Sequence, residues 1–341
     1  MTATVSGANL AANGPRRYAV QAADSATVIS NAARLPVIQA VGLVTGCSNP
    51  APLAVAINSG LNAAIVTEPG CNQVAMVNLA TGTGFGASPE LAVQSNPQGV
   101  DVYPPAGLAV VANAGSSSVS IVDMANDGVP VTFPTDPVPD GVAIDLGTGN
   151  ALVTANGASV VDTFPVSATA QTTSNIGVQQ APSGVAIDPL RGVAVVANSS
   201  SGSNDASILN LSSNTTTFTT PMNGIFFPQG VAFDPITDTF MITSGSNNQV
   251  VLLNPVSDQT AAIRVGIDPS SIAYNAVSGT LVTANNLSST VTMVDFLDQT
   301  VRAVFSLKSS AQFAVAIQPQ TNLAVIADSA DNQLLLVPLP N

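Results

Sequence analysis

Short apolar runs broken by turn residues organise this chain, and no long helical stripe competes with them. In the stretch opened by Pro97, GVDVY (99–103) ends at Pro104-Pro105. LAVVAN (108–113) is almost continuously apolar, as in a strand covered on both faces. SVSIVD (118–123) alternates and ends at Asn126-Asp127-Gly128, and VPVTF (129–133) carries an internal Pro130 that suits an edge strand. Four strands joined by short connections predict antiparallel pairing.

The pattern then repeats. PLAVAIN (52–58), PQGVDVY (97–103), PDGVAID (139–145), PSGVAID (182–188), PQGVAFD (228–234), PSSIAYN (269–275) and the degraded QFAVAIQ (312–318) follow one another at spacings of 45, 42, 43, 46, 41 and 43 residues. A period in the low forties with several strands per unit predicts an all-β fold, a β-propeller of about seven four-stranded antiparallel blades. The repeats start near 52, 97, 139, 182, 228, 269 and 312 and make residues 18–341 one domain, behind a small-residue tail, 1–17, expected to be disordered or extended. The seventh unit ends after three strands, AVAIQ (314–318), LAVIAD (323–328) and QLLLVP (333–338). RLPVIQAV (34–41) is expected to supply its fourth, closing the ring with both chain ends in one blade. YAVQAADSATVIS (18–30) also reads as two strands, which leaves an incomplete eighth blade or an arm that self-associates as alternatives.

LAVVANAGSSSVSIVDMAND (108–127) and LVTANNLSSTVTMVDFLDQ (281–299) resemble the YVTN family of surface and secreted propellers, with NHL-type propellers next in style. LVTANG (152–157) and VVANSS (195–200) carry the same core phrase, although most units lack the motif's aromatic residue. The resemblance covers nearly the whole chain from about residue 18. It implies an extracellular or cell-surface protein and says little about activity, because such folds host many functions.

Composition narrows the chemistry. The 341 residues are 46% hydrophobic and only 8% charged, with a net charge of −13 and no histidine, which argues against nucleic-acid binding. No apolar run reaches the roughly 18 residues of a membrane-spanning helix, and Met1–Gly14 lacks the pattern of a signal peptide. Without histidine there is no Ser-His or Cys-His pair, and Lys308 is the single lysine. The enzyme question therefore leans to no.

The residues ending the second strand of each unit, Glu68, Asn113, Asn156, Asn198, Ser244, Asn285 and Asp328, form a candidate ring at the channel mouth. Such a ring suits a glycan, peptide or protein ligand. Asparagine at a strand end equally serves to shape its own turn. Glu68 and Asp328 depart from the asparagine consensus and are the candidate ligands for a metal, with calcium as the cofactor such oxygens favour. SSSGSNDAS (199–207) reads as an enlarged loop on the same face, and Asp123–Gly128 as a solvated turn. Cys47 and Cys71 fall in two loops of unit one that share a face; a disulfide is favoured over a free pair, and with it an oxidising compartment. The expected function is a non-enzymatic binding or scaffold propeller, the alternatives a self-assembling surface protein or a metal-dependent lactonase- or lyase-like enzyme.

Overall fold

A computed structural model describes residues 38–43, 46–126, 128–200, 204–218, 225–255, 259–307 and 313–339. The tail 1–17, the segment 18–30 and Lys308 lie outside the described residues. Seven antiparallel sheets stand side by side around an axis. Blade 2 shows the plan: inner strand Pro97–Tyr103, then Leu108–Asn113, Ser118–Asp123 and outer strand Val131–Pro134. These bounds follow the apolar runs of the sequence closely. In blade 1 the fourth strand is broken into Thr83–Gly84 and Glu90–Ala92, both paired to Gln73–Asn78.

The ring closes as the sequence implied. Gln39–Gly42 pairs antiparallel with Gln333–Pro338, Gln39 opposite Leu336 and Gly42 opposite Gln333. The inner strand of blade 1, Val55–Asn58, then lies between those of blades 7 and 2.

The core is divided among the gaps between blades. Each of seven apolar clusters is shared by two adjacent blades. Between blades 2 and 3, Val110, Ile121, Ile144 and Val153 pack together, and Phe133 meets Phe164 edge to face at 5.0 Å. Alternation along each inner strand feeds two gaps: Ile144 faces blade 2, while Ala143 packs in the cluster shared with blade 4.

The glycine of Pro-x-Gly has a specific reason. A Cβ on Gly99 would lie 2.2 Å from the Asp140 carbonyl oxygen, one on Gly141 2.1 Å from that of Ser183, and one on Gly184 2.1 Å from that of Gln229. At these three positions neighbouring inner strands approach too closely for a side chain. The Asp-Pro turns at 188–189 and 234–235 are structural: Asp188 Oδ1 accepts from Leu190 N at 3.0 Å, and Asp234 Oδ1 from Ile236 N at 3.0 Å.

Candidate functional site

Each inner strand of blades 2 to 6 begins with an irregularity. The pairing register shifts between Pro97 and Val100, Pro139 and Val142, Pro182 and Val185, Pro228 and Val231, and Pro269 and Ser271. Such bulges re-aim a side chain out of the sheet. Here the re-aimed residue is the variable one of the phrase, Gln98, Asp140, Ser183, Gln229 or Ser270, and all five line one mouth of the axial channel. Leu53 and Phe313 stand at the corresponding places in blades 1 and 7. With Ser199, Phe227, Ser271 and Asn286 they bound a cavity of about 540 Å³. That volume suits a small ligand.

The opposite end differs in character. Ile57, Ile144, Ile187, Phe233 and Ile317 line a second cavity of about 440 Å³, and the two meet at Val100, Val142 and Val185. The side chains at the first mouth are mostly amides and hydroxyls, while those at the second are mostly aliphatic, with Asp101 and Phe233 among them.

Asp140 is the only carboxylate side chain among the described residues of the polar mouth. Burial pushes its pKa up to about 6, and no hydrogen bond or ion pair engages its carboxyl group among the described residues. Two of the described arginines are committed elsewhere, Arg191 to Asp188 and Asp238 and Arg302 to Asp295, and the third, Arg264, is exposed on the outer strand of blade 5. Asp101, inside the channel wall, accepts from Val102 N and from Ile144 N of blade 3, both at 2.8 Å, while burial raises its pKa to about 6.

Rim geometry adds strain. The residue before each of these prolines is left-handed, with φ of +54° at Asn96, +57° at Val138, +54° at Ala181, +50° at Phe227 and +59° at Asp268. Asparagine and aspartate tolerate this conformation; a β-branched valine resists it. Val138 and Phe227 nonetheless sit there with 44% and 46% of their surface exposed, beside the mouth.

The strand-end residues of the sequence lie one layer behind that rim. Asn113 pairs with Pro97, Asn198 with Pro182, Ser244 with Pro228, Asn285 with Pro269 and Asp328 with Phe313. These five and Glu68 are buried. Their side chains tie second strand to third: Asn113 Nδ2 donates to Ser120 Oγ at 3.0 Å, Asn198 Nδ2 to Ser207 Oγ at 2.9 Å, and Asn285 Nδ2 to Thr292 Oγ1 at 2.9 Å. Ser244 Oγ instead accepts from Phe226 N at 2.9 Å.

In blade 3 the residue opposite Pro139 is Ala155, so Asn156 stands one step further on. It is half-buried, donates to the Pro182 carbonyl at 3.3 Å, and borders a cleft with Gln98 and Asp140. Glu68 and Asp328 are not brought together by any shared contact. Each accepts from a glutamine of its own blade, Gln73 at 2.6 Å and Gln333 at 3.0 Å. Burial drives the Glu68 pKa up to about 7, with Gln73 opposing and nearby Glu90 adding to the rise. Among the described residues no group of three cysteine or carboxylate side chains converges on one point.

Three further expectations can be placed. Cys47 and Cys71 form a disulfide with Cα atoms 6.1 Å apart. The loop read as 199–207 ends earlier, because the third strand of blade 4 begins at Asp205, whose neighbour Ala206 packs between blades 4 and 5. Asp123 Oδ1 caps its turn by accepting from Ala125 N and Asn126 N.

Sequence reasoning passed over the five bulge residues because they vary. The signal was present: one variable position inside a phrase whose flanks are fixed.

No protein-family model and no curated protein sequence matches the chain. Solved structures do. Hydrazine synthase of Kuenenia stuttgartiensis superposes with a TM-score of 0.76 at 16% identity, over 87% of this chain and 99% of that one. Virginiamycin B lyase from Staphylococcus aureus gives 0.74 at 11% identity, over 89% and 99%. The same lyase in a catalytically inactive histidine-to-alanine form, with quinupristin, gives 0.74 at 11% identity with the same coverage. At these identities the likeness establishes the fold: the chain is a seven-bladed β-propeller.

Proposed function

We propose that this propeller is a non-enzymatic binding or scaffold protein of the YVTN style, working outside the cell, and that it holds a glycan or peptide in the polar mouth of its channel. The observation that carries the reading is the set of bulged residues, Gln98, Asp140, Ser183, Gln229 and Ser270, which aims amides, hydroxyls and one unpartnered carboxyl group into a single cavity. Planar amides and carboxylates match the hydroxyl groups of sugars and the backbone of peptides, and exposed Phe227 offers an apolar face beside them. The strand-end ring, including Glu68, Asn113, Asn198 and Asn285, supports that mouth from behind in this reading. The Cys47–Cys71 disulfide fits an oxidising compartment.

A lyase reading draws on the structural neighbours, one of which is inactivated by losing a histidine. This chain contains no histidine, so that chemistry would need another base.

A glycan and peptide array followed by titration calorimetry tests the proposal. Asp140→Asn is expected to weaken a captured ligand about tenfold or more while leaving the melting temperature unchanged or higher. Absence of any captured ligand, together with concentration-dependent assembly in sedimentation, would instead favour a self-assembling surface protein.

A further inference from the structure

Blade 3 departs from its sisters at one buried point. On the third strand, Asp162 stands opposite Val153, where blades 2, 4 and 6 place Ser120, Ser207 and Thr292. In those blades the hydroxyl meets the strand-end asparagine; here that asparagine is replaced by Ala155. Asp162 is completely buried, yet a carboxylate has taken the place of a neutral group.

Its surroundings are oxygen-rich, and among the described residues no arginine or lysine pairs with it. Asp162 Oδ2 accepts from Asp136 N at 2.8 Å, while Asp162 Oδ1 is buried with no hydrogen-bond partner. The Oγ1 of Thr135, the residue preceding Asp136, is also buried and unpartnered. Asp136 Oδ2 accepts from Asn175 Nδ2 at 3.0 Å on the exposed outer strand, which gives the corner an opening to solvent. Burial and the nearby Asp136 carboxyl group push the Asp162 pKa up to about 6. Two adjacent carboxylates in a buried corner require a compensating charge.

We propose that this corner of blade 3 binds one hard divalent cation, with Asp162 and Asp136 as charged ligands, Thr135 Oγ1 as a neutral one, and water completing the shell. The site is separate from the channel mouth and independent of what binds there. It lies on the loop that leads into Val138 and Asp140, so occupancy would brace the rim.

Thermal unfolding and calorimetric titration of the full chain with calcium chloride, and in a second arm magnesium chloride, against an EDTA reference test the site. Wild-type protein is expected to take up one ion and to melt a few degrees higher at millimolar metal. Asp162→Ser, which installs the residue of the sister blades, is expected to fold and to lose both effects; Asp140→Asn is expected to keep them. An equal metal response in Asp162→Ser would overturn the proposal. So would the absence of metal binding combined with a melting temperature that rises more from pH 7 to pH 5 in the wild type than in Asp162→Ser, since the two carboxyl groups would then share a proton instead of an ion.

Discussion

Thr154 Oγ1 donates to the Ser183 carbonyl of the next blade at 2.7 Å while accepting from Gly141 N of its own bulge at 2.8 Å. One hydroxyl thereby joins two successive bulges at the channel mouth. Thr67 repeats the device, donating to the Gln98 carbonyl at 2.8 Å and accepting from Ala54 N at 2.9 Å. Thr154→Val keeps the branched shape and removes both bonds. It is expected to destabilise by about 1–3 kcal/mol, read as a lower urea midpoint, because a buried donor is left unmet.

Gly141→Ala meets backbone instead of a flexible side chain, its Cβ falling 2.1 Å from the Ser183 oxygen. A loss of about 1–3 kcal/mol is expected. Gly177→Ala is the control: nothing lies within 4 Å of its Cβ, and a change within about 0.5 kcal/mol is expected in the same denaturation experiment.

Val138→Asn should raise stability by about 1 kcal/mol, since Asn96 already occupies the equivalent left-handed position in blade 2. If the strained rim also contacts the ligand, the same variant binds more weakly, a trade visible by running calorimetry beside thermal unfolding.

Glu68, Asp101 and Asp140 all have folded-state pKa values above their ordinary ones, at about 7, 6 and 6. The folded protein therefore binds protons more tightly than the unfolded chain between the ordinary carboxylate range and about pH 7. Stability from these groups is greatest below that window and falls as pH rises through it. The melting temperature is expected to be higher at pH 5 than at pH 8, and Glu68→Gln is expected to flatten the profile. Asp295, held down by Arg302, acts in the other direction, but only in acid below the ordinary carboxylate range.

Reducing the Cys47–Cys71 bridge is expected to lower stability by about 3 kcal/mol, because it opens a loop spanning 24 positions. Melting with and without reductant, compared with a Cys47→Ser variant, measures the effect.

Much of the fold was legible because a propeller writes its plan repeatedly. The runs at 108–113 and 323–328 are observed strands with the same limits, and the fourth strand of blade 7 comes from the N-terminal side as the missing run required. The site was less legible. Asn113 and Asn198 drew notice by recurring, yet recurrence is what a side chain acquires when it ties one strand to the next in successive blades. Gln98, Asp140 and Gln229 share a backbone position and differ in chemistry, so their common direction appears only once the bulge is seen. Asn156 was aligned by its phrase; pairing across the sheet shifts it by one residue.

The pairing of Gln39 with Leu336 also sets a schedule. Each blade from 2 to 6 is assembled from one continuous piece of chain and can form as soon as that piece has been synthesised. Blade 7 cannot, because its outer strand is made first and its partner among the last. Until Gln333–Pro338 has been made, Gln39–Gly42 is a strand without a sheet, and the equivalent strand of a neighbouring chain offers it the same register as its own. Crowded translation is therefore the condition under which two copies would exchange ends, and the disulfide that follows at Cys47, by fastening the adjoining loop to blade 1, holds the waiting strand near its proper destination.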